Sequence, residues 1–442
     1  MSLYRLSAGF LASLLGLGAG AAAGSGPWEF RYLVKDLTFA TPIQPSDSTQ
    51  NPGNLLSVPS FQLENEVRGD FFLDYKALRL TAKPRFGALW QRWTEGFQSG
   101  ESDSDAEFFF NEYRVMVTPD ERLFLSYGRD NLQWGPSYLV SPSNPFFADN
   151  GQRNPKREVP GSDFARATWI PNQNWSFSGI ANLFDGEALG RDRGRGRAPD
   201  FERTYAFKLD YTSFRKYVSA IASYRESPDG EQGEGLRIGG FGGFTVTDAL
   251  LLHFEASGAV RNDNLYPTVE RASPFGQVMS QSKIDTGGFG GTILGGGSYT
   301  FEAGPTLVME YLYNSQGYSG DESDDYLTLR RSASEGLAQP PPVSGIALMT
   351  LSDTLLTGLR FQRRNYLMLQ YQQPQIRGVL DLVFRYTLGL DDQSSQLIPV
   401  VQYGLSDHLQ VFLVGTQNFG SLDGEARTLV DFAYSFGLEI AF

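Results

Sequence analysis

His253, Glu255 and Ser257 are the residue types an acyl-transfer site needs: an imidazole base, a carboxylate to orient it and a hydroxyl nucleophile. Their i, i+2, i+4 spacing puts all three on one face of a strand. That spacing does not by itself aim the base at the nucleophile, and a polar stripe along the strand accounts for the three without catalysis. The second histidine, His408, falls in a predicted turn. No phosphate-binding glycine loop, dinucleotide fingerprint or His-Glu-x-x-His motif occurs, so no cofactor is expected. The 442 residues contain no Cys and only two His, which excludes disulfides, iron–sulfur clusters, thiolate zinc and cysteine nucleophiles. A formal charge of −13 speaks against a dedicated nucleic-acid binder. The remaining chemistry lies in charged residues that share one strand parity. The bases are Arg79, Lys83, Arg85, Arg114, Arg166, Lys208, Arg237, Arg360 and Arg385, and the acids are Glu112, Asp210, Asp381, Asp431 and Glu439. Such a surface is either a mutually neutralising network or a basic strip that draws anionic solutes or sugars.

The elements that carry these charges have period two. From Ala77 to Trp93, Leu78, Leu80, Ala82, Pro84, Phe86, Ala88 and Trp90 take one parity, while Arg79, Thr81, Lys83, Arg85 and Gln91 take the other. The pattern recurs at Phe109–Val117, Trp175–Leu183, Tyr205–Tyr211, Leu250–Val260 and Leu380–Leu388. One face is greasy and the other charged over lengths that suit a tilted membrane strand of about 9–11 residues. Aromatic residues make up 14% of the chain, the level expected of a polypeptide whose outside meets something other than water. Val430, Phe432, Tyr434, Phe436, Leu438, Ile440 and Phe442 share one face of the last segment, and a terminal aromatic on such a strand resembles the assembly signal of bacterial outer-membrane barrels.

Residues 1–23 read as a secretory signal peptide: Arg5, an apolar run from Phe10 to Leu17, then Ala21-Ala22-Ala23. After residue 23 no stretch approaches the ~18 apolar residues of a spanning helix. In lipid, a closed sheet is the other way to satisfy every backbone group. Brief polar breaks at Thr118–Glu121, Thr247-Asp248, Leu351–Thr354 and Leu405–His408 read as tight turns. Longer polar segments at 94–106, 129–163, 184–203, 262–283 and 314–341 alternate with them. This asymmetry predicts an all-β, up-and-down antiparallel transmembrane barrel with short periplasmic turns and long extracellular loops. An even count of about 16–20 strands is expected, centred on about 18, with 28–40, 342–350 and the segment around Arg363 and Arg364 the faintest. Residues 24–54 are either a first strand or a plug, and 55–442 form the barrel. Acidic runs at Glu101–Glu107 and Asp321–Asp325 match no defined cation site. The basic run Arg191, Arg193, Arg195 and Arg197 is either a solvated loop or a contact for anionic lipopolysaccharide or a surface glycan. The glycine pairs around Phe241 and Phe289 sit within strand pattern and suggest curvature or close packing rather than phosphate loops.

One segment stands apart: Tyr127-Gly-Arg-Asp-Asn-Leu-Gln-Trp-Gly-Pro-Ser-Tyr-Leu-Val-Ser-Pro-Ser-Asn-Pro-Phe-Phe147. Gly135-Pro136 forces a bend, Pro142 and Pro145 stiffen the residues after it, and Trp134 with Phe146-Phe147 would bury the loop inside the barrel and constrict it. Aromatic faces there would also suit pyranose rings. The segment resembles the capsule-assembly outer-membrane proteins, the Wzi family, through Gly128, Arg129, Trp134, Gly135, Pro136, Ser141, Asn144 and Pro145, with Pro160–Arg166 similar to that family's return into the next strand. The resemblance implies an 18-stranded barrel, without enzymatic activity, that binds surface polysaccharide and helps retain capsule or exopolysaccharide. Its implied partners are outer-membrane lipid and lipopolysaccharide, capsular or exopolysaccharide, and the barrel-assembly machinery acting on the strand that ends at Phe442. The residues alone leave two other readings open. One is a passive diffusion porin for small solutes, anionic ones included, with the inward stripe of Arg79, Lys83 and Arg85 lining its path; Arg166 is a further candidate ligand or constriction residue. The other is a barrel hydrolase using His253.

Overall fold

The computed structural model describes residues 27–147, 150–151, 154–184, 203–226, 235–260, 264–280 and 290–442. The segment expected to be a signal peptide, the Arg191–Arg197 run and the glycines just before Phe289 lie outside the described residues. In chain order the strands are β1 (Trp28–Pro45), β2 (Phe61–Tyr75), β3 (Leu78–Arg92), β4 (Ser102–Asp120), β5 (Leu123–Asp130), β6 (Ser162–Asn172), β7 (Trp175–Phe184), β8 (Thr204–Thr212), β9 (Lys216–Arg225), β10 (Gly235–Thr245) and β11 (Leu250–Ala259). A separate small hairpin comes next, β12 (Tyr266–Val269) with β13 (Gln277–Ser280). Then come β14 (Gly290–Thr300), β15 (Thr306–Asn314), the helices α1 (Gly320–Gly336) and α2 (Val343–Leu355), and β16 (Asn365–Ile376), β17 (Leu380–Gly389), β18 (Ser395–Ser406), β19 (Leu409–Phe419) and β20 (Val430–Ala441). All but the small hairpin form one 18-stranded sheet. β1 closes it, pairing antiparallel with β2 from Trp28↔Tyr75 to Pro42↔Phe61 and with β20 from Lys35↔Ala441 to Pro45↔Val430. Residues 28–45 are therefore the first strand of the barrel and not a plug.

Connections at 76–77, 121–122, 173–174, 213–215, 246–249, 301–305, 377–379 and 407–408 are tight and lie on one rim, where Trp28 and Phe442 also end. The long connections, among them 131–161 and 315–364, lie on the other. Outward residues such as Phe254, Ile293, Met309 and Leu369 are about half exposed or more (52%, 60%, 56% and 48%), while inward Glu255, Glu310 and Met368 are sealed. This inverted polarity is that of a membrane barrel. Aromatic pairs band the tight-turn rim: Trp28–Tyr75 stack at 3.9 Å, Trp175 lies 4.8 Å from Tyr211 and Tyr299 lies 4.9 Å from Phe301. Phe61 and Trp90, 6.0 Å apart, mark the loop side.

Several expectations change. Phe109 does not share a face with Tyr113 and Val115. A bulge at the Lys83/Pro84 register shift inserts one residue in β4, so Phe109 pairs with inward Arg85 while Tyr113 pairs with outward Ala82. Segment 342–350 is not a strand but part of α2, and Leu351–Thr354 is its last turn and not a hairpin. A short apolar run without alternation does not separate strand from helix. Residues 321–325 open α1, where Ser319 accepts from the Glu322 N–H and Glu322 returns the bond, with Asp321 and Glu322 in the first turn. The acidic run at 101–107 is the exposed upper end of β4 rather than a loop. Arg360, Arg363 and Arg364 lie in bends before β16, so Arg360 has no place on the inward strand face. Among the described residues no cluster of three metal-ligating side chains occurs.

Closure through β1 yields a first prediction. Deleting residues 28–45 leaves facing edges of β2 and β20 unpaired in lipid. The expected outcome is loss of the heat-modifiable band on SDS gels that marks a closed barrel.

Candidate functional site

The 131–161 connection between β5 and β6 leaves the rim and crosses the lumen. A buried backbone must find partners for its N–H groups, and two sealed carboxylates supply them. Glu310 of β15 accepts the Tyr138 N–H at 2.8 Å and the Leu139 N–H at 2.9 Å. Its Oε1 also lies 2.9 Å from His253 Nε2. Glu255 of β11 accepts from Ser141 Oγ at 2.7 Å, from the Ser143 N–H at 3.0 Å and from Ser143 Oγ at 2.7 Å. Arg237 of β10 donates to the Pro142 carbonyl at 2.8 Å. Around these polar pins, Leu139 and Val140 pack on inward Leu294, Val308, Leu312 and Met368.

The return limb is pinned to the opposite wall. Arg85 of β3 donates to Glu158 from Nε at 2.7 Å and from a terminal nitrogen at 2.8 Å, and also holds Asp70 at 2.8 Å. Lys156 reaches Glu439 of β20 at 2.6 Å and Gln410 of β19 at 2.5 Å. Arg157 pairs with Glu64 of β2 at 2.6 Å and lies 4.9 Å above Phe39. Lys156 lies 4.9 Å above Phe412. The stems of these two bases thereby cover the inward apolar patch of Leu37, Phe39, Ile398, Val400, Phe412 and Val414.

Six of the expected site residues meet here. Trp134 packs edge-on against Phe146 at 6.0 Å, with Lys208 Nζ 5.6 Å from its ring. Gly135 has φ +91°, and a Cβ there would stand 2.4 Å from Glu255 Oε2, so only glycine fits. Ser141 bridges Glu255 and the Trp134 carbonyl at 2.9 Å. Asn144 closes the turn: Nδ2 donates to the Leu132 carbonyl at 2.8 Å, and Oδ1 accepts from the Phe146 and Phe147 N–H groups at 3.0 and 3.2 Å. Pro136 comes directly after the Gly135 bend and stiffens it. Arg85 joins the site through Glu158.

The others stand apart. Arg79 pairs with Asp74 at 2.5 Å near the tight-turn rim, and Lys83 pairs with Glu112 at 2.8 Å. Arg129 is not a lumen residue: it pairs across the sheet with Tyr113 and Asp163 and shares the parity of outward Val115 and Leu125. Arg166 is inward, opposite Ser126, and donates to Thr168 Oγ1 at 3.1 Å; among the described residues it makes no ion pair. Its neighbours along the wall are each compensated, Arg114 by Asp130 at 2.5 Å and Lys208 by Asp210. The hydrolase trio does not assemble. His253 faces Glu310, and Ser257 accepts from Arg237 at 3.0 Å. Sequence reasoning missed the pinning role of Glu255, Glu310 and Glu158. For Glu310 a signal existed, a lone carboxylate at inward parity between Val308 and Leu312.

Burial pushes the Glu158 carboxyl up, but the Arg85 hydrogen bonds and charge outweigh it and hold it below the usual carboxylate range. A depressed acid contributes stability above its unfolded pKa and loses it as pH falls through the folded one. The return limb is therefore expected to be seated at neutral pH and to loosen only as pH falls below the usual carboxylate range, read as faster protease cleavage within 154–159 of the folded barrel. Independently, Gly135→Ala is expected to destabilise the seated loop by about 1–3 kcal/mol. The measurement is proteolysis within 131–147 while the heat-modifiable band persists.

No protein-family model matches this chain, and no curated protein sequence does. Similar folds occur among solved structures. OccAB1 of Acinetobacter baumannii aligns with TM-score 0.52 at 10% identity, over 96% of this chain and 99% of that one. OccK11 (OpdR) of Pseudomonas aeruginosa aligns at 0.51 and 12%, over 93% and 96%. OccAB2 of Acinetobacter baumannii aligns at 0.50 and 8%, over 93% and 98%. The first two are Gram-negative outer-membrane porins, and what this chain shares with them is the 18-stranded barrel fold.

Proposed function

We propose that the chain is an integral outer-membrane porin through which small solutes diffuse passively along the lumen wall that the infolded loop leaves free. One observation carries this reading. The loop is pinned to β10, β11 and β15 on one side and to β2, β3, β19 and β20 on the other, while the charged wall of Arg114, Arg166 and Lys208 stays partly open to the interior. A barrel filled only for stability would present apolar side chains there, as the patch around Phe412 does. Likeness of fold to porins supports the same reading. Arg166, whose hydrogen-bond partner among the described residues is the Thr168 hydroxyl, tilts passage toward anions. The reading includes no catalytic step.

The capsule-assembly reading rests on the Trp134–Asn144 segment and requires a closed lumen with an open aromatic platform for sugar. The Trp134 ring instead lies against Phe146 and under Lys208.

Single-channel conductance in planar bilayers decides between them. Stable ohmic openings are expected, rising several-fold when residues 132–147 are deleted. Arg166→Ala is expected to shift reversal potential toward cations more than Arg79→Ala, whose charge Asp74 already balances. A silent bilayer that conducts only after the deletion would overturn the diffusion reading in favour of a closed, polysaccharide-binding barrel.

A further inference from the structure

Between β4 and β5 the wall stops short on one side. β4 runs from Ser102 to Asp120, but β5 pairs with it only from Tyr113 to Asp120. β3 flanks the other side along its whole length, from Leu78↔Val117 to Arg92↔Ser102. Arg129 and Gly161 cover the open side at Phe110 and Asn111. Above them Ser102–Phe108 is exposed at every residue, and no described strand lies beside it there. Counted up from the tight turn at about 2.5 Å of height per residue of a tilted strand, Phe108 stands about 25 Å up, at the top of the apolar band. The open edge therefore stands in water.

Alternate residues of an edge strand turn their N–H and C=O away from the sheet. The Ser104 N–H donates to Asp103 Oδ1 and the Ala106 N–H to Asp105 Oδ1, both at 2.8 Å. These two edge donors are each held by the carboxylate of the residue before. Asp103, Asp105 and Glu107 share one face of the strand at period two. A neutral strand approaching this edge must displace two carboxylates from the donors it needs and has no charge to set against them. A strand with bases at every second position does: each base takes a carboxylate across the ladder, and the freed N–H takes a carbonyl. We infer that the open edge of β4 is a docking strand for an extended cationic segment of another polypeptide, added edge to edge.

The chain's own basic run, Arg191, Arg193, Arg195 and Arg197, is too closely tethered to pair with all three acids. In either direction, the base opposite Asp103 is at most about nine residues from the strand end beyond it, Phe184 or Thr204, a reach of about 31 Å. Through the ladder Phe184 is level with Tyr113, and Thr204 with Arg114. Asp103 lies about ten rows higher, about 33 Å along the strand, and two or three strand widths to the side. The occupant is therefore a different chain.

The test takes the whole protein in nanodiscs of zwitterionic phospholipid and a fluorescent synthetic peptide of alternating lysine and threonine. Saturable binding is expected, with none to empty nanodiscs and none for the matching glutamate–threonine peptide. Ser104→Pro with Ala106→Pro removes both edge donors and leaves every charge in place. Proline is tolerated where an edge N–H faces water, so the heat-modifiable band is expected to persist. Affinity for the lysine peptide is expected to fall at least tenfold, and as far when the peptide is N-methylated at alternate residues. Asp103→Asn with Asp105→Asn keeps an oxygen on each edge donor and removes the charge, and is also expected to weaken binding at least tenfold. Unchanged affinity in the double-proline variant means a charge contact without strand pairing. Unchanged affinity in the double-asparagine variant means an edge that does not select bases. Either result, or no binding to the parent protein, overturns the inference.

Discussion

Lipid provides no partner for a peptide N–H or C=O, and that single constraint organises this chain. A sheet with an edge cannot live in the hydrocarbon, so β1 must meet β20 as well as β2. Once the sheet closes, period two divides every strand between two solvents. Leu78, Leu80 and Phe86 go outward, and Arg79, Lys83 and Arg85 go inward, because no other division satisfies both surroundings. The density of charge inside is a consequence of that closure before it is a device for transport.

A charged interior then creates a second problem of the same kind. A loop that enters the lumen carries its own backbone polar groups out of bulk water. Glu310 and Glu255 answer it by accepting N–H and hydroxyl groups from Tyr138 to Ser143. On the far wall the roles invert: the loop brings Lys156, Arg157 and Glu158, and the barrel brings Glu439, Glu64 and Arg85. The Arg85 and Lys156 pairs differ in kind from surface ion pairs, which contribute little in water, whereas Arg157–Glu64 is partly exposed. Removing Glu158 or Glu439 leaves a sealed charge without compensation, and that cost helps fix the position of the loop.

Alternation, turn asymmetry and the closing aromatic were all legible in the residues, because they report a backbone period and a solvent. Local events that add or remove one residue were not. The bulge in β4 flips Phe109 to the inside with no change in composition to announce it. Helix α1 carried its start signal in Ser319 and Glu322, yet α2 offered only an apolar run that a strand could equally have used. The infolded loop was foreseeable from Trp134, Gly135 and Phe146-Phe147. Its anchors were less so: Glu310 stood out as a lone carboxylate between Val308 and Leu312, but Glu255, beside His253 and Ser257, has the same sequence signature as any wetted acid on the inward face. Arg129, which entered only through the family resemblance, lies away from the loop, because parity counted through Gly128 places it opposite Tyr113 and Asp163 on the outer side.

The anchors of the loop also set a clock. Tyr138 waits for a carboxylate 172 positions later in the chain, Ser141 for one 114 later, and Lys156 for one 283 later, on the last strand. Contacts of such long separation form late, because the intervening chain must be ordered first. The Tyr138–Ser143 limb can therefore seat once β11 and β15 are in place, whereas the Lys156 limb stays unmoored until the final hairpin arrives. The same pairing that closes the sheet thus completes the anchoring of its loop.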